Sequence, residues 1–120
     1  GKGAVGRATV EMWNRRMELG LMQNVAAAFR HLHPAAAVLE NPQIKEFGEV
    51  SKPRAVEVLK VMDEQLGHHK FIAGDTYSIA DITGMVAVDF MRPARIQMPA
   101  ELKNLQRWHA EVSARPSAKA

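Results

Sequence analysis

The chain has 120 residues, enough for one domain with a buried core and too few for two. Hydrophobic residues make up 47% and charged residues 24%, a balance that excludes disorder or low complexity as its main character. There is no cysteine, which excludes a disulfide scaffold, a thiolate metal site and a cysteine nucleophile. No run of about 18 apolar residues could span a membrane, and no basic-then-apolar leader is visible, so a cytoplasmic protein with no membrane partner is expected. The net charge is +3, spread unevenly: residues 34–92 are acidic on balance and both flanks are basic. Nucleic-acid surfaces need clustered Lys and Arg. The tightest basic pair here, Arg15-Arg16, lies in an otherwise apolar segment, so nucleic acid is not the expected partner.

Gly1, Gly3 and Gly6 make residues 1–7 read as a flexible lead-in or an expression scar. From residue 8 to about 33, Val10, Trp13, Met17, Leu21, Val25, Ala28 and Leu32 keep helical spacing. Met12, Leu19, Met22 and Phe29 widen that stripe onto a second face, as if the helix packed on two sides. Pro34 stops it, and residues 34–45 form a turn. Glu46 to Leu66 is helical again, with Val56, Leu59, Met62 and Leu66 on one stripe. Pro53 suggests a short helix and then a new one capped by Ser51, ending on Gly67 in a left-handed conformation. The first half is thus a long helical hairpin, and residues 8–66 carry more apolar surface than a four-helix core can cover, which predicts a homodimer.

Phe71 to Asp75 reads as an extended linker. Ser78-Ile79-Ala80-Asp81 then has the form of a capping box, with Tyr77 and Ile82 placed as a hydrophobic staple. The helix that follows, 79–91, is apolar nearly all round and is expected to be the buried central helix. Pro99 suits the first turn of the last helix, whose inward stripe is Leu102, Leu105, Trp108, His109 and Val112. The fold class expected is all-α: a long hairpin plus a buried central helix.

Candidate chemistry is sparse. His31 and His33 are two apart, which is wrong for a helical metal pair, and His68-His69 has no useful carboxylate spacing. No metal site is expected, and His31 and His33 read as surface residues favoured by a helix C-terminus. There is no Gly-x-Ser-x-Gly and no glycine-rich phosphate loop. Asp81 and Asp89, eight residues apart, sit too far along one helix for paired-carboxylate chemistry. Trp13, Arg15 and Arg16 share one turn and could meet an amphipathic or anionic ligand. No residue qualifies as a catalytic group.

Phe71-Ile72-Ala73-Gly74-Asp75-Thr76-Tyr77-Ser78-Ile79-Ala80-Asp81-Ile82 resembles the F-x-x-G-D-x-x-S-x-A-D stretch that opens the central helix in the C-terminal domain of cytosolic-type glutathione S-transferases, particularly bacterial ones. Leu105-Gln106-Arg107-Trp108-His109 through Arg115-Pro116 is similar to that family's last helix, and Trp13-Asn14-Arg15-Arg16-Met17-Glu18 to the first helix of some members. The likeness covers residues 8–118. It implies an all-helical domain that walls the pocket for a small hydrophobic electrophile and contributes to a dimer. Pocket-lining carries over to Met12, Trp13, Arg16 and Met17. The family's thioredoxin-like domain holds glutathione, the co-substrate, and supplies the residue that activates its thiol. No part of this sequence matches that domain, so the resemblance implies no cofactor for this chain alone, no activity by itself and a detoxifying transferase as its parent. The other reading is a docking module of the same fold without an enzymatic role.

Overall fold

The computed structural model describes residues 2–119. Helix α1 runs from Gly3 to Arg15, continues through a π-helical stretch at Arg16–Met22 and emerges as α2, Gln23–Leu32. The rod begins at Gly3, so residues 3–7, read as lead-in, are its first turns; Gly1 lies outside the described residues. The predicted stripe is the buried one: Trp13, Met17, Leu21, Val25 and Ala28 are all in the core. The second face is not covered throughout, for Met12 and Leu19 are exposed. Gly20 sits inside the π-helical stretch. A Cβ there would stand 3.4 Å from a methyl of Val58, in ordinary contact with the returning helix.

Pro34 ends the rod, and Pro34–Val38 forms a 3-10 turn whose first N–H, from Ala35, is accepted by His33 Nδ1 at 3.1 Å. The chain returns as α3, Lys45–Leu66. This is one helix, not two with a start at Ser51. Ser51 is buried and its hydroxyl donates to the Phe47 carbonyl one turn back at 2.7 Å, so it cannot cap anything ahead. Pro53 is carried inside the helix. Gly67 ends it with φ −74°, an ordinary right-handed conformation; the expected left-handed cap is absent. Its smallness serves approach instead, since a Cβ would meet Asn104 Nδ2 at 3.0 Å.

The stretch after α3 is a tight turn, closed by Phe71 N–H donating to the Gly74 carbonyl at 2.8 Å, with Gly74 at φ +139°. Helix α4, Ile79–Phe90, then crosses the hairpin. Its inner face is made of small or polar residues: Ala80, Asp81, Gly84, Ala87 and Val88 are buried. A Cβ on Gly84 would lie 3.2 Å from both Met17 Sδ and the Trp108 ring, and both neighbours are fully buried and cannot retreat. The outer face contradicts the expectation of a helix buried all round, for Ile79, Ile82 and Val86 remain 50%, 45% and 47% exposed.

Helix α5, Lys103–Ser113, closes the bundle. Pro99 precedes it and is not in its first turn. Leu105, Trp108 and Val112 point inward as expected, while His109 turns outward to Asp89, with Nε2 2.7 Å from Oδ1. Helices α3 and α5 cap each other. Asp63 accepts the Leu105 N–H of the first turn of α5 at 2.9 Å, and Arg107 donates to the carbonyl of Leu66, the last residue of α3, at 2.8 Å and to that of Lys70 beyond it at 3.1 Å. Among the described residues there is no strand, only the isolated pairing of Phe71 with Gly74, and no helix long and apolar enough to cross a membrane.

Candidate functional site

Two constructions stand out. The first is the start of α4. The capping box closes as the sequence pattern requires: Ser78 Oγ accepts from the first turn and Asp81 Oδ2 accepts the Ser78 N–H at 2.9 Å. Asp81 does more than its motif states. Its Oδ1 also accepts the Ile72 N–H at 3.0 Å and the Trp108 indole N–H at 2.8 Å. Its carboxylate is fully buried, and three donors from three segments converge on it. It therefore joins the 71–74 turn, the start of α4 and the middle of α5. Tyr77, expected to staple against Ile82, lies edge-on to Phe71 at 5.8 Å and under the Arg115 guanidinium at 3.6 Å, while Ile82 stays exposed. Both oxygens of this buried carboxylate are taken up by protein N–H groups, which is what a structural joint needs.

The second is a cleft of about 480 Å³ between the π-helical stretch and α3. Trp13, Arg16 and Met17 line it together with Leu19, Gly20, Val58 and Val61. Met12, grouped with these by sequence, is exposed and does not line it. The Arg16 guanidinium lies 4.7 Å from the centre of the Trp13 ring, a cation–π geometry that holds the cation at the apolar rim. Arg15 lines the cleft too, but its charge is spoken for. Glu11 and Glu18 bind it at 2.7 and 3.1 Å, and Glu11 first, then Glu18, pushes its guanidinium above its ordinary value. The site is thus an apolar slot with one uncommitted guanidinium. Val58, Val61 and Gly20 escaped the sequence reading. The available signal was two valines off the inward stripe of α3 and the single glycine of a long helix.

No group of three or more His, Asp or Glu is placed to hold a metal ion among the described residues. His31 and His33 do stand at the C-terminal end of α2, in its last turn and at its cap, but not as free surface groups: each Nδ1 accepts the backbone N–H of a segment that follows, Ile44 at 2.9 Å and Ala35 at 3.1 Å.

Residues 17–116 match the family model described as the C-terminal domain of glutathione S-transferase, and the chain belongs to that family. It is 32% identical over 120 residues to glutathione S-transferase 2 of Saccharomyces cerevisiae, covering 99% of this chain and 52% of that protein. It is 35% identical over 101 residues to the disulfide-bond oxidoreductase YghU of Escherichia coli, covering 79% of this chain and 34% of that protein. The fold superposes on the crystal structure of Gtt2 from Saccharomyces cerevisiae with a TM-score of 0.94 at 32% identity, covering 99% of this chain and 58% of that one. A glutathione S-transferase domain-containing protein from Marinobacter aquaeolei matches with a TM-score of 0.92 at 36% identity, covering 98% and 58% of the two chains. The chain therefore spans about half the length of these glutathione S-transferase relatives.

Proposed function

We propose that this chain is the co-substrate and dimerisation half of a glutathione transferase, and that the Trp13–Arg16–Met17 cleft takes the small hydrophobic electrophile. The observation that carries this reading is the convergence of an aromatic ring, a thioether and two valines on one slot with a free guanidinium at its rim. An aromatic ring with electron-withdrawing groups stacks on Trp13, and Arg16 attracts the negative charge that builds on it when a thiolate adds. The chain's own residues do the binding and the orienting. Activation of the glutathione thiol, whose pKa near 8.5 leaves only a few per cent as thiolate at neutral pH, falls to a thioredoxin-like domain outside this sequence. The exposed stripe of Ile79, Ile82 and Val86 is the face of α4 on which we place that domain. Exposed Phe47 and Val50 on the hairpin, outside the cleft, support the dimer contact.

Titration with 1-chloro-2,4-dinitrobenzene, followed by tryptophan fluorescence, tests the cleft. Trp108 is fully buried, so Trp13 is the reporter. Saturable quenching that Trp13→Phe abolishes, without conjugation of added glutathione by the 120-residue chain alone, is the expected result. Quenching that never saturates, or that survives Val61→Glu, rules the cleft out. Turnover by the chain alone rules out the division of labour.

A further inference from the structure

At the far end of the hairpin lies a second cleft, of about 460 Å³, where α2 ends, α3 begins and the turn after α4 passes. Lys45 and Lys52 of α3 and Arg95 of that turn line it, with Glu49 as its one carboxylate. None of the three cations makes an ion pair among the described residues, as most cations of this chain do not; what sets these apart is that one cleft gathers them. His31 and His33 line the same cleft. Each accepts a backbone N–H at Nδ1, which leaves Nε2 as the protonated, donating nitrogen. Nε2 of His31 is 3.9 Å from Glu40, beyond hydrogen-bond reach, and that of His33 has no protein partner among the described residues. The cleft thus collects donors and positive charge.

Arg95 adds an independent observation. The residues after α4 end in a Schellman turn: the Arg95 N–H donates to the Arg92 carbonyl at 3.0 Å and the Ile96 N–H to the Met91 carbonyl at 2.9 Å. The position between these bonds is left-handed, and Arg95 has φ +60° there, the only side-chain-bearing described residue with positive φ. Such turns favour glycine because a Cβ is crowded in that conformation. The turn is shaped for glycine and holds an arginine, which lines the cleft. Backbone strain retained at a ligand-facing position is a mark of function rather than of folding.

We propose that this cleft binds a small phosphate monoester of nucleotide size, Lys45, Lys52 and Arg95 neutralising the phosphate and His33 donating to one of its oxygens through Nε2. Three cations and a ring donor suit a dianion with three acceptor oxygens better than a single carboxylate. The volume exceeds that of a bare phosphate and leaves room for an organic portion. The site is separate from the electrophile cleft. Met17 and Leu32 are 15 residues apart on one rod, about 22 Å at 1.5 Å per residue, so the proposal does not rest on the transferase reading.

The test is calorimetric titration of the chain with adenosine 5′-monophosphate at fixed ionic strength, with adenosine as the uncharged control. Saturable 1:1 binding of the monophosphate alone, with shifts of the His31 and His33 ring resonances, is expected. Arg95→Gly should weaken binding at least about fivefold, the equivalent of about 1 kcal/mol. The same variant should withstand more denaturant than the parent, so a loss of binding cannot be blamed on unfolding. Lys52→Met should weaken binding similarly. No saturation with the monophosphate, equal binding of adenosine, or unchanged affinity in both variants would overturn the proposal.

Discussion

The Asp81 joint and the Lys45–Lys52–Arg95 cleft are opposite solutions to the same problem of placing charge in a small helical domain. Asp81 is fully buried, yet three N–H groups meet its two oxygens, so its desolvation is compensated at every lone pair that matters. Among the described residues the three cations of the cleft meet no carboxylate within ion-pair distance, and one of them stands on left-handed backbone. Arg30, from the same end of the hairpin, shows that pairing is available there: it binds Glu40 at 2.7 Å and the Leu39 carbonyl at 3.0 Å. A charge that the fold answers holds the fold together. A charge left unanswered in a concave place is available to something else.

The sharpest way to break this contrast is at Asp81. Asp81→Ala strands three N–H groups, two of them in the core, and should cost roughly 3–5 kcal/mol, since each orphaned donor costs about 1–3 kcal/mol and some regain water. Ser78→Ala removes only the cap and should cost about 1 kcal/mol. Guanidinium denaturation of both variants and of the double mutant measures the difference. The capping box taken alone predicts comparable losses, so equal values would reduce Asp81 to its local motif. The double mutant should fall short of the sum, because the two side chains share the same turn.

A smaller effect, of opposite sign, is expected at Arg95. Arg95→Gly relieves a left-handed side-chain penalty of about 1–2 kcal/mol and adds about 0.5–1 kcal/mol of unfolded-state entropy, for a net gain of about 0.5–1 kcal/mol. Thermal unfolding in phosphate-free buffer is the appropriate measurement. A destabilised variant would mean that the arginine holds the turn, and the contrast with Asp81 would collapse.

The smallest effect concerns Arg30 and Glu40. The hydrogen bond from Arg30, above all, holds the Glu40 carboxyl below its ordinary value of 4.5. A depressed folded-state value means that the unfolded chain takes up the proton first. The contribution is therefore fully present above the unfolded value, about 4.5, and is lost as the pH falls through and below it. Arg30→Met should leave a shallower acid-side loss of stability than the parent, with little change at neutral pH. Identical acid limbs in a denaturation series over pH would show that the pair, partly exposed, is screened to nothing.

Much of this molecule was legible in one dimension. The spacing from Trp13 to Ala28 names its buried side correctly because residues three or four apart fall on one side of a helix, and the four-residue steps from Trp13 to Val25 hold that side through the wider π-helical turns. Ser78 and Asp81 announce the start of α4 because a capping box lies within four residues and needs nothing from afar. Trp13, Arg16 and Met17 fall on one cleft because they share a helical face, and Met12 leaves the set because its side chain points off that face into solvent.

What only the tertiary structure decided has a common cause: the partner lies far away in sequence. The second and third donors to Asp81 come from Ile72 and Trp108, the first-turn acceptor of α5 from Asp63 on α3, and the carbonyls at and beyond the end of α3 are met by Arg107. Continuity of α3 through Pro53 depends on a helix packed along its length, where local rules favour a break. The apolar outer face of α4 looks buried in a sequence that counts hydrophobic residues, and is half exposed because this domain offers nothing to cover it. Likewise Lys45, Lys52 and Arg95 are scattered over 51 positions and read as ordinary solvated cations until the hairpin and the turn after α4 bring them around one cleft. Sequence fixes what neighbours along the chain can settle by periodicity and capping; the pairing or isolation of a charge is settled by which distant segment the fold lays beside it.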